Sequence, residues 1–394
     1  MIQTQRIRIS IGSPAEGNNF YGREQEQTEI WEKTGADNLL MLAPRRIGKT
    51  SLLKRLRDTA HAQNASVYYC SFADCIEEEA CIDHLYRTLN LPNWKKHVQR
   101  FSSTLKQITK VNTNGIELGS GQKKDWQATA QHFSAQVDNL DNGGKRIIVC
   151  VDELPIFILA LLKQENGKER VRHFLNWFRS LRQAYNHKIK WILAGSIGLD
   201  TITARHNMGD TINDLVSFPL GEFPEHIASE FVKALLTSYN KVISDEVNQY
   251  LLSKIGWKIP YYLQLLVEHI KKLNTSGAVT IEDVNQAFVE LLKPANRNYF
   301  DYWHQRLNEQ LGPPDNQHAV LLLNHISRSA NGVQKATLKQ ALEHKTGKLT
   351  QEDNLLRYLL DMLENDGYII ESNGRYQFRL SLLGEYWKNR YAQE

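Results

Sequence analysis

Two short stretches of this sequence carry residue types that can handle phosphate. The first is Ala43-Pro44-Arg45-Arg46-Ile47-Gly48-Lys49-Thr50, followed by Ser51. It fits the phosphate-loop pattern G-x-x-x-x-G-K-[ST], except that Ala43 stands at the first glycine. An apolar run, Leu39 to Leu42, precedes it and reads as a buried strand. Gly48 to Gln63 reads as a helix with Leu52, Leu53 and Leu56 on one side. A loop between strand and helix aims backbone N–H groups and the helix dipole at an anion. Lys49 is then placed to reach the outer phosphates of a nucleotide, and Thr50 to offer its hydroxyl to Mg²⁺. Alanine at the first position adds one methyl group, which a residue of negative φ tolerates.

The second stretch is Ile147-Ile148-Val149-Cys150-Val151-Asp152-Glu153, an apolar strand ending in two carboxylates. Asp152 is expected to hold Mg²⁺ through water, and Glu153 to polarise an attacking water. A third run, Ile192-Leu193-Ala194-Gly195-Ser196, ends in a small polar residue. Beside the acidic strand, Ser196 could sense the terminal phosphate; the plainer reading is a serine capping a strand end. Together these residues predict ATP binding and Mg²⁺-dependent hydrolysis, with Lys49, Asp152, Glu153 and Ser196 in catalytic roles.

The elements that must position them alternate. Helical patterning covers Glu24 to Lys33, Glu77 to Leu89, Trp126 to Leu140 and Val171 to Tyr185. Strand-like runs cover Ser66 to Phe72, Arg146 to Val151 and Lys190 to Ala194. Strands alternating with helices predict an α/β fold, a parallel sheet with helices on both faces. From Pro224 to about Leu311 only helices are expected. After Gly312-Pro313-Pro314 come helical runs at Gln317 to Ser327, Lys335 to His344 and Gln351 to Asn365. A hairpin over 368–378, turning at Asn373-Gly374, follows. Three helices and a hairpin outline a winged helix. The chain therefore divides into a loosely held lead-in (1–19), a phosphate-loop core (20–222) with a basic insert (92–126), an all-helical lid (223–311) and a winged-helix domain (312–394).

At these residues the sequence resembles the archaeal-type ATPases of the STAND class, relatives of AAA+ proteins and of origin-recognition initiators. Phe20-Tyr21-Gly22-Arg23-Glu24 is similar to the family's F-x-G-R-E entry motif, and Pro44 to Leu53 to its P-R-R-x-G-K-T-S-L-L loop. Val151-Asp152-Glu153-Leu154-Pro155 and Gly256-Trp257-Lys258-Ile259-Pro260 also match family segments, as do Phe300 to Trp303 and Arg306-Leu307. The resemblance implies adenine as the base, with Gly22, Arg23 and Pro260 near it. It also implies an arginine supplied by a neighbour or by the lid. Within the core, Arg172, Arg179, Arg182 and Arg205 are the candidates for such a finger, each expected instead as a solvated surface charge.

The bulk numbers restrain the choice of partner. Among 394 residues the formal net charge is +4, too small to imply nucleic acid by itself. Residues 312–394 hold ten Lys+Arg and ten Asp+Glu. The run Gln351 to Asp366, which would enter a DNA groove, carries Glu352, Asp353, Asp361, Glu364 and Asp366 against Arg357 alone. The better basic patch is the insert, with Lys95, Lys96, Lys123 and Lys124 among its seven basic residues. A switch acting on a protein partner or on self-assembly is therefore favoured over a DNA-binding ATPase. A nucleotide-binding scaffold with little turnover is the third reading. No apolar run approaches the ~18 residues that span a bilayer, and the N-terminus has no signal-peptide core, so the cytoplasm is expected. Cys70, Cys75 and Cys81 with His84 do not match zinc spacing, and Cys150 lies in a strand; buried thiols are expected.

Overall fold

The computed structural model describes residues 6–91, 126–141, 143–196, 198–273, 277–347 and 352–392. The basic insert (92–126), whose sequence reads as a helix over Trp94 to Ile108 and a hairpin turning at Asn114-Gly115, lies outside the described residues, apart from Trp126.

The chain runs through α1 (Glu24–Lys33), β1 (Asn38–Leu42), α2 (Lys49–Thr59), β2 (Ala65–Ser71), α3 (Glu78–Thr88), α4 (Trp126–Asp138) and β3 (Arg146–Asp152). It continues with α5 (Leu154–Leu162), α6 (Gly167–Ala184), β4 (Ile189–Gly195), α7 (Leu199–Arg205) and β5 (Leu215–Ser217). The strands form one parallel sheet in the order β2-β3-β4-β1-β5. Alternate residues of each strand point to opposite faces, as the pleat requires. Leu39, Met41, Ile148, Cys150, Ile192 and Ala194 enter the core beneath α2. Leu40, Ile147, Val149, Val151, Trp191 and Leu193 enter the core on the other side, with Phe157 of α5 and Phe174 and Phe178 of α6. Both faces are covered, so the central strands read as continuous apolar runs. Helix α5 was not foreseen; its apolar run follows a turn in which Glu153 has φ 58°.

The next stretch comprises α8 (Glu225–Ser238), β6 (Val242–Ile243), α9 (Asp245–Ile255), α10 (Pro260–Leu273), β7 (Ala278–Val279), α11 (Ile281–Leu291) and α12 (Asp301–Gln310). The expectation of helices alone is thus corrected: β6 and β7 pair in parallel. Two-residue strands are too short to leave a period-two signature. The chain ends with α13 (Asp315–Ser327), β8 (Val333–Gln334), α14 (Lys335–Thr346), α15 (Glu352–Asn365), β9 (Ile369–Ser372), β10 (Arg375–Phe378) and α16 (Ser381–Arg390). Strands β8, β10 and β9 form an antiparallel sheet in that order, and the β9–β10 turn falls at Asn373-Gly374.

Two expectations fail for identifiable reasons. Over its described residues, from Arg6 on, the lead-in is not loose: the backbone N–H groups of Ile7, Ile9, Ser10 and Ala15 donate to Ser238, Tyr239, Gln264 and Ser51. Side chains far along the chain supply those acceptors, so no local pattern announces them. Arg182 is not a surface charge: it is fully buried and paired with Asp214 at 2.7 Å. Arg172 pairs with Asp210, and Arg205 with Asp315 and the Tyr358 hydroxyl. All four cysteines are buried and free. Cys75 and His84 meet Asp74, but Cys70 and Cys81 do not join that group. Among the described residues no helix is long and apolar enough to cross a membrane.

The C-terminal elements dock behind the phosphate loop. Gly367 has φ +81°, and a Cβ there would stand 2.5 Å from the Trp257 ring and 2.8 Å from Pro44. Gly367→Ala combines a left-handed backbone with a clash in a packed seam, and is expected to cost about 1–3 kcal/mol. A lowered urea midpoint relative to wild type is the measurement.

Candidate functional site

Strands β1, β3 and β4 all end at one edge of the sheet: Leu42 lies beside Gly195, Ser71 beside Asp152, and the Ala43 N–H donates to Gly195 O at 3.2 Å. Ligand crevices in open α/β sheets form at this edge. The phosphate loop turns by two left-handed residues, Arg46 at φ 68° and Gly48 at φ 104°, and Lys49 opens α2. Ala43 is not among the residues of positive φ, so its methyl group costs no backbone strain.

Lys49 is 6% exposed. Its Nζ donates to Ala43 O at 2.5 Å and to Pro44 O at 3.0 Å. Burial pulls its pKa down to about 8, against the opposing attraction of Glu153 and Asp152. Thr50 Oγ1 donates to Asp152 Oδ2 at 2.8 Å, and Tyr69 donates to the same oxygen at 3.0 Å. Two hard oxygen donors at hydrogen-bond distance suit Mg²⁺, which prefers carboxylate and hydroxyl ligands. The Glu153 carboxylate is gripped by the end of β4: Ser196 donates to Oε2 from its N–H at 3.2 Å and from its hydroxyl at 3.0 Å. Ser196 therefore lies against Glu153.

Above this edge lies a cavity of about 410 Å³, a size suited to a nucleotide. Arg45, Arg46, Ile47, Gly48, Lys49, Thr50, Ser51 and Glu153 form one wall, and Pro260 with Tyr261 another. Arg23 also lines it, yet its guanidinium is occupied: it donates to Gly221 O at 2.7 Å and to Ile47 O at 3.3 Å, pairs with Glu26, and lies over Phe223. Gly22, Ala43, Pro44, Asp152 and Ser196 are not part of the wall. Gly22 instead packs tightly under Ile227 and Phe223. Sequence reasoning missed the lead-in residues Ser10 to Ala15, together with Gln264, Asn298 and Tyr302, which also line the cavity. Arg46 lies 4.4 Å from the Tyr261 ring centroid, a cation–π contact that links loop to lid.

A β-loop-α phosphate cradle facing two carboxylates at one sheet edge defines a P-loop ATPase. Comparison with known proteins points the same way. Residues 29–203 match the family described as "Predicted AAA-ATPase". The fold is similar to that of the Walker-type ATPase of Pyrococcus abyssi, with a TM-score of 0.61, 17% identity, and coverage of 96% of this chain and 99% of that one. It is also similar to the ORC2 protein of Aeropyrum pernix, solved in ADPNP-ADP complexes, with a TM-score of 0.55, 13% identity and 94% coverage of each chain. No curated protein matches the sequence.

The depressed Lys49 has a measurable consequence. In the free protein its ammonium is half deprotonated near pH 8. Bound phosphate favours the charged form and raises that pKa. Nucleotide binding should therefore take up a proton above pH 8, about 0.9 per site at pH 9, and weaken as pH rises further. Calorimetric titrations at pH 9 in buffers of different ionisation enthalpy read this uptake; observed heats that are the same in every buffer would contradict it.

Proposed function

We propose that the chain is a nucleotide-controlled switch: it binds ATP with Mg²⁺ on the Gly48-Lys49-Thr50 loop, hydrolyses it, and couples its nucleotide state to the C-terminal elements. The observation that carries this reading is the convergence of Lys49, Thr50, Asp152 and Glu153 at one edge, with the C-terminal turn at Gly367 packed on Pro44 of the same loop.

The residues divide the work by chemistry. Lys49 exchanges its loop carbonyls for the outer phosphate oxygens of ATP, which are stronger acceptors. Thr50 and Asp152 hold the magnesium, which supplies Lewis-acid charge when bound. Glu153 accepts the proton of the water that attacks the terminal phosphorus as the bond to the bridging oxygen breaks. Ser196 fixes the direction of that carboxylate. Gly22 and Arg23 act from behind the base end of the cleft, and Pro260 closes it from the lid. Lys49→Ala is expected to abolish ATP binding. Glu153→Gln should keep binding and lose about 10²–10⁴ in turnover. Wild-type turnover by Glu153→Gln in a phosphate-release assay would remove Glu153 from this role.

We read residues 312–394 as a winged-helix domain whose partner is a protein rather than DNA. The helix that would enter a groove, α15, is instead docked on the core: Tyr358 accepts from Arg205 Nη1 at 2.8 Å. Labelled duplex titrated at two salt concentrations tests this. Weak binding with a shallow salt slope is expected. Tight binding with a steep slope would replace this reading with a DNA-binding ATPase.

A further inference from the structure

The turn after β2 gathers three side chains that the nucleotide chemistry does not use. Asp74 and Cys75 follow the strand closely, and the Cys75 N–H donates to Phe72 O at 3.1 Å, which closes the turn. His84 stands in the second turn of α3. One ligand atom from each of Asp74, Cys75 and His84 lies within 4.8 Å of the other two. His84 Nε2 is 3.8 Å from Asp74 Oδ2. Around a tetrahedral zinc ion, with bonds of about 2.0–2.3 Å, neighbouring ligand atoms stand about 3.4–3.6 Å apart. The group is thus slightly wider than a coordination shell, and Asp74, whose side chain is 74% exposed, has room to swing in.

The way His84 is held points to a cation independently. Its Nδ1 lies 3.0 Å from Ser71 O. A carbonyl only accepts, so Nδ1 carries the proton. Nε2 then faces Asp74. A neutral imidazole in this pose turns a lone pair towards a carboxylate, two acceptors with nothing between them, and a cation there removes the conflict. Nδ1–H on a backbone carbonyl with Nε2 left free is a common arrangement of metal-ligating histidine. Cys75, 2% exposed, supplies a soft donor. One sulfur, one nitrogen and one oxygen suit zinc and its neighbours, whereas magnesium prefers oxygen alone. The nearby carboxylates of Glu77, Glu78 and Glu79 also cluster, but Arg170 of α6 already pairs with Glu77 and Glu78. Cysteine spacing conceals the first group because its third member is Asp74 rather than another cysteine.

We propose that Asp74, Cys75 and His84 bind one zinc-class divalent ion, with water completing four-coordination. The Cys75 thiol gives up its proton as its sulfur binds the ion. The site is distinct from the Thr50–Asp152 magnesium position but adjoins it. Ser71, which holds His84, pairs with Asp152 in the sheet, and the Phe72 N–H donates to Asp152 O at 2.9 Å. A bound ion ties α3 to the end of β2 and stiffens the strand beside the acidic pair.

The test strips the full chain of metal with a chelator and titrates it, without nucleotide, with Zn²⁺ alone and with Co²⁺ alone. Wild type should take up one zinc in competition with a chromophoric chelator, melt at a higher temperature with zinc, and show the near-ultraviolet sulfur-to-cobalt absorption band. Cys75→Ser should lose the band and the melting shift. His84→Gln should weaken zinc at least about 100-fold, and the exposed change Asp74→Asn about tenfold with the band retained. Circular dichroism reports whether each variant is folded, and the two variants other than Cys75→Ser carry the test if that one is not. Wild type without the band, a band that survives Cys75→Ser, or zinc affinity unchanged in both His84→Gln and Asp74→Asn overturns the proposal. The first of these is the result expected of a plain imidazolium–carboxylate pair between His84 and Asp74.

Discussion

The structure turns on one buried ammonium. Lys49 is almost wholly removed from water at the first position of α2, where the helix dipole disfavours a cation. Two loop carbonyls and two nearby carboxylates compensate it, and the two pairs come from different parts of the chain. The carbonyls require the tight turn after β1. The carboxylates require β3 to end level with it, although β4 lies between the two strands. The sheet order therefore does more than shape the core: it fixes where negative charge can meet Lys49.

The same requirement explains how the acids are held. Asp152 accepts from Thr50 and Tyr69, and Glu153 from Ser196. Each carboxylate is oriented by a neighbouring strand or helix, so neither drifts onto Lys49 and fills the place a phosphate would take. Glu153 achieves its direction through a left-handed backbone, a conformation that non-glycine residues adopt at some cost.

Much of the core was legible in the sequence because its strands are buried on both faces and its loop chemistry is local. Gly48-Lys49-Thr50 and Asp152-Glu153 are contiguous runs, so their pattern survives without knowledge of the fold. What escaped notice depends on contacts between distant residues. The lead-in is polar and aperiodic, and its hydrogen bonds end more than two hundred residues away at Ser238 and Tyr239. Arg182 looks like any helix-surface arginine until Asp214 is brought beneath it. Ser196 could be placed at a strand end, but not against Glu153, because that contact depends on the register of β4 with β3. Arg306 could be noted as a residue type in the chain, while its burial beside Asp366, with Nε and Nη1 left without a hydrogen-bond partner, arises only in the folded chain.

The lead-in also sets a length scale. Ser10 is fastened to Gln264 on α10, and Ala15 to Ser51 on α2. Five residue steps separate the two anchors, and an extended chain covers at most ~18 Å over that distance. While both anchors hold, α10 and α2 can part only as far as this leash allows, so the cleft has an upper bound on its gape that is written in chain length rather than in packing energy.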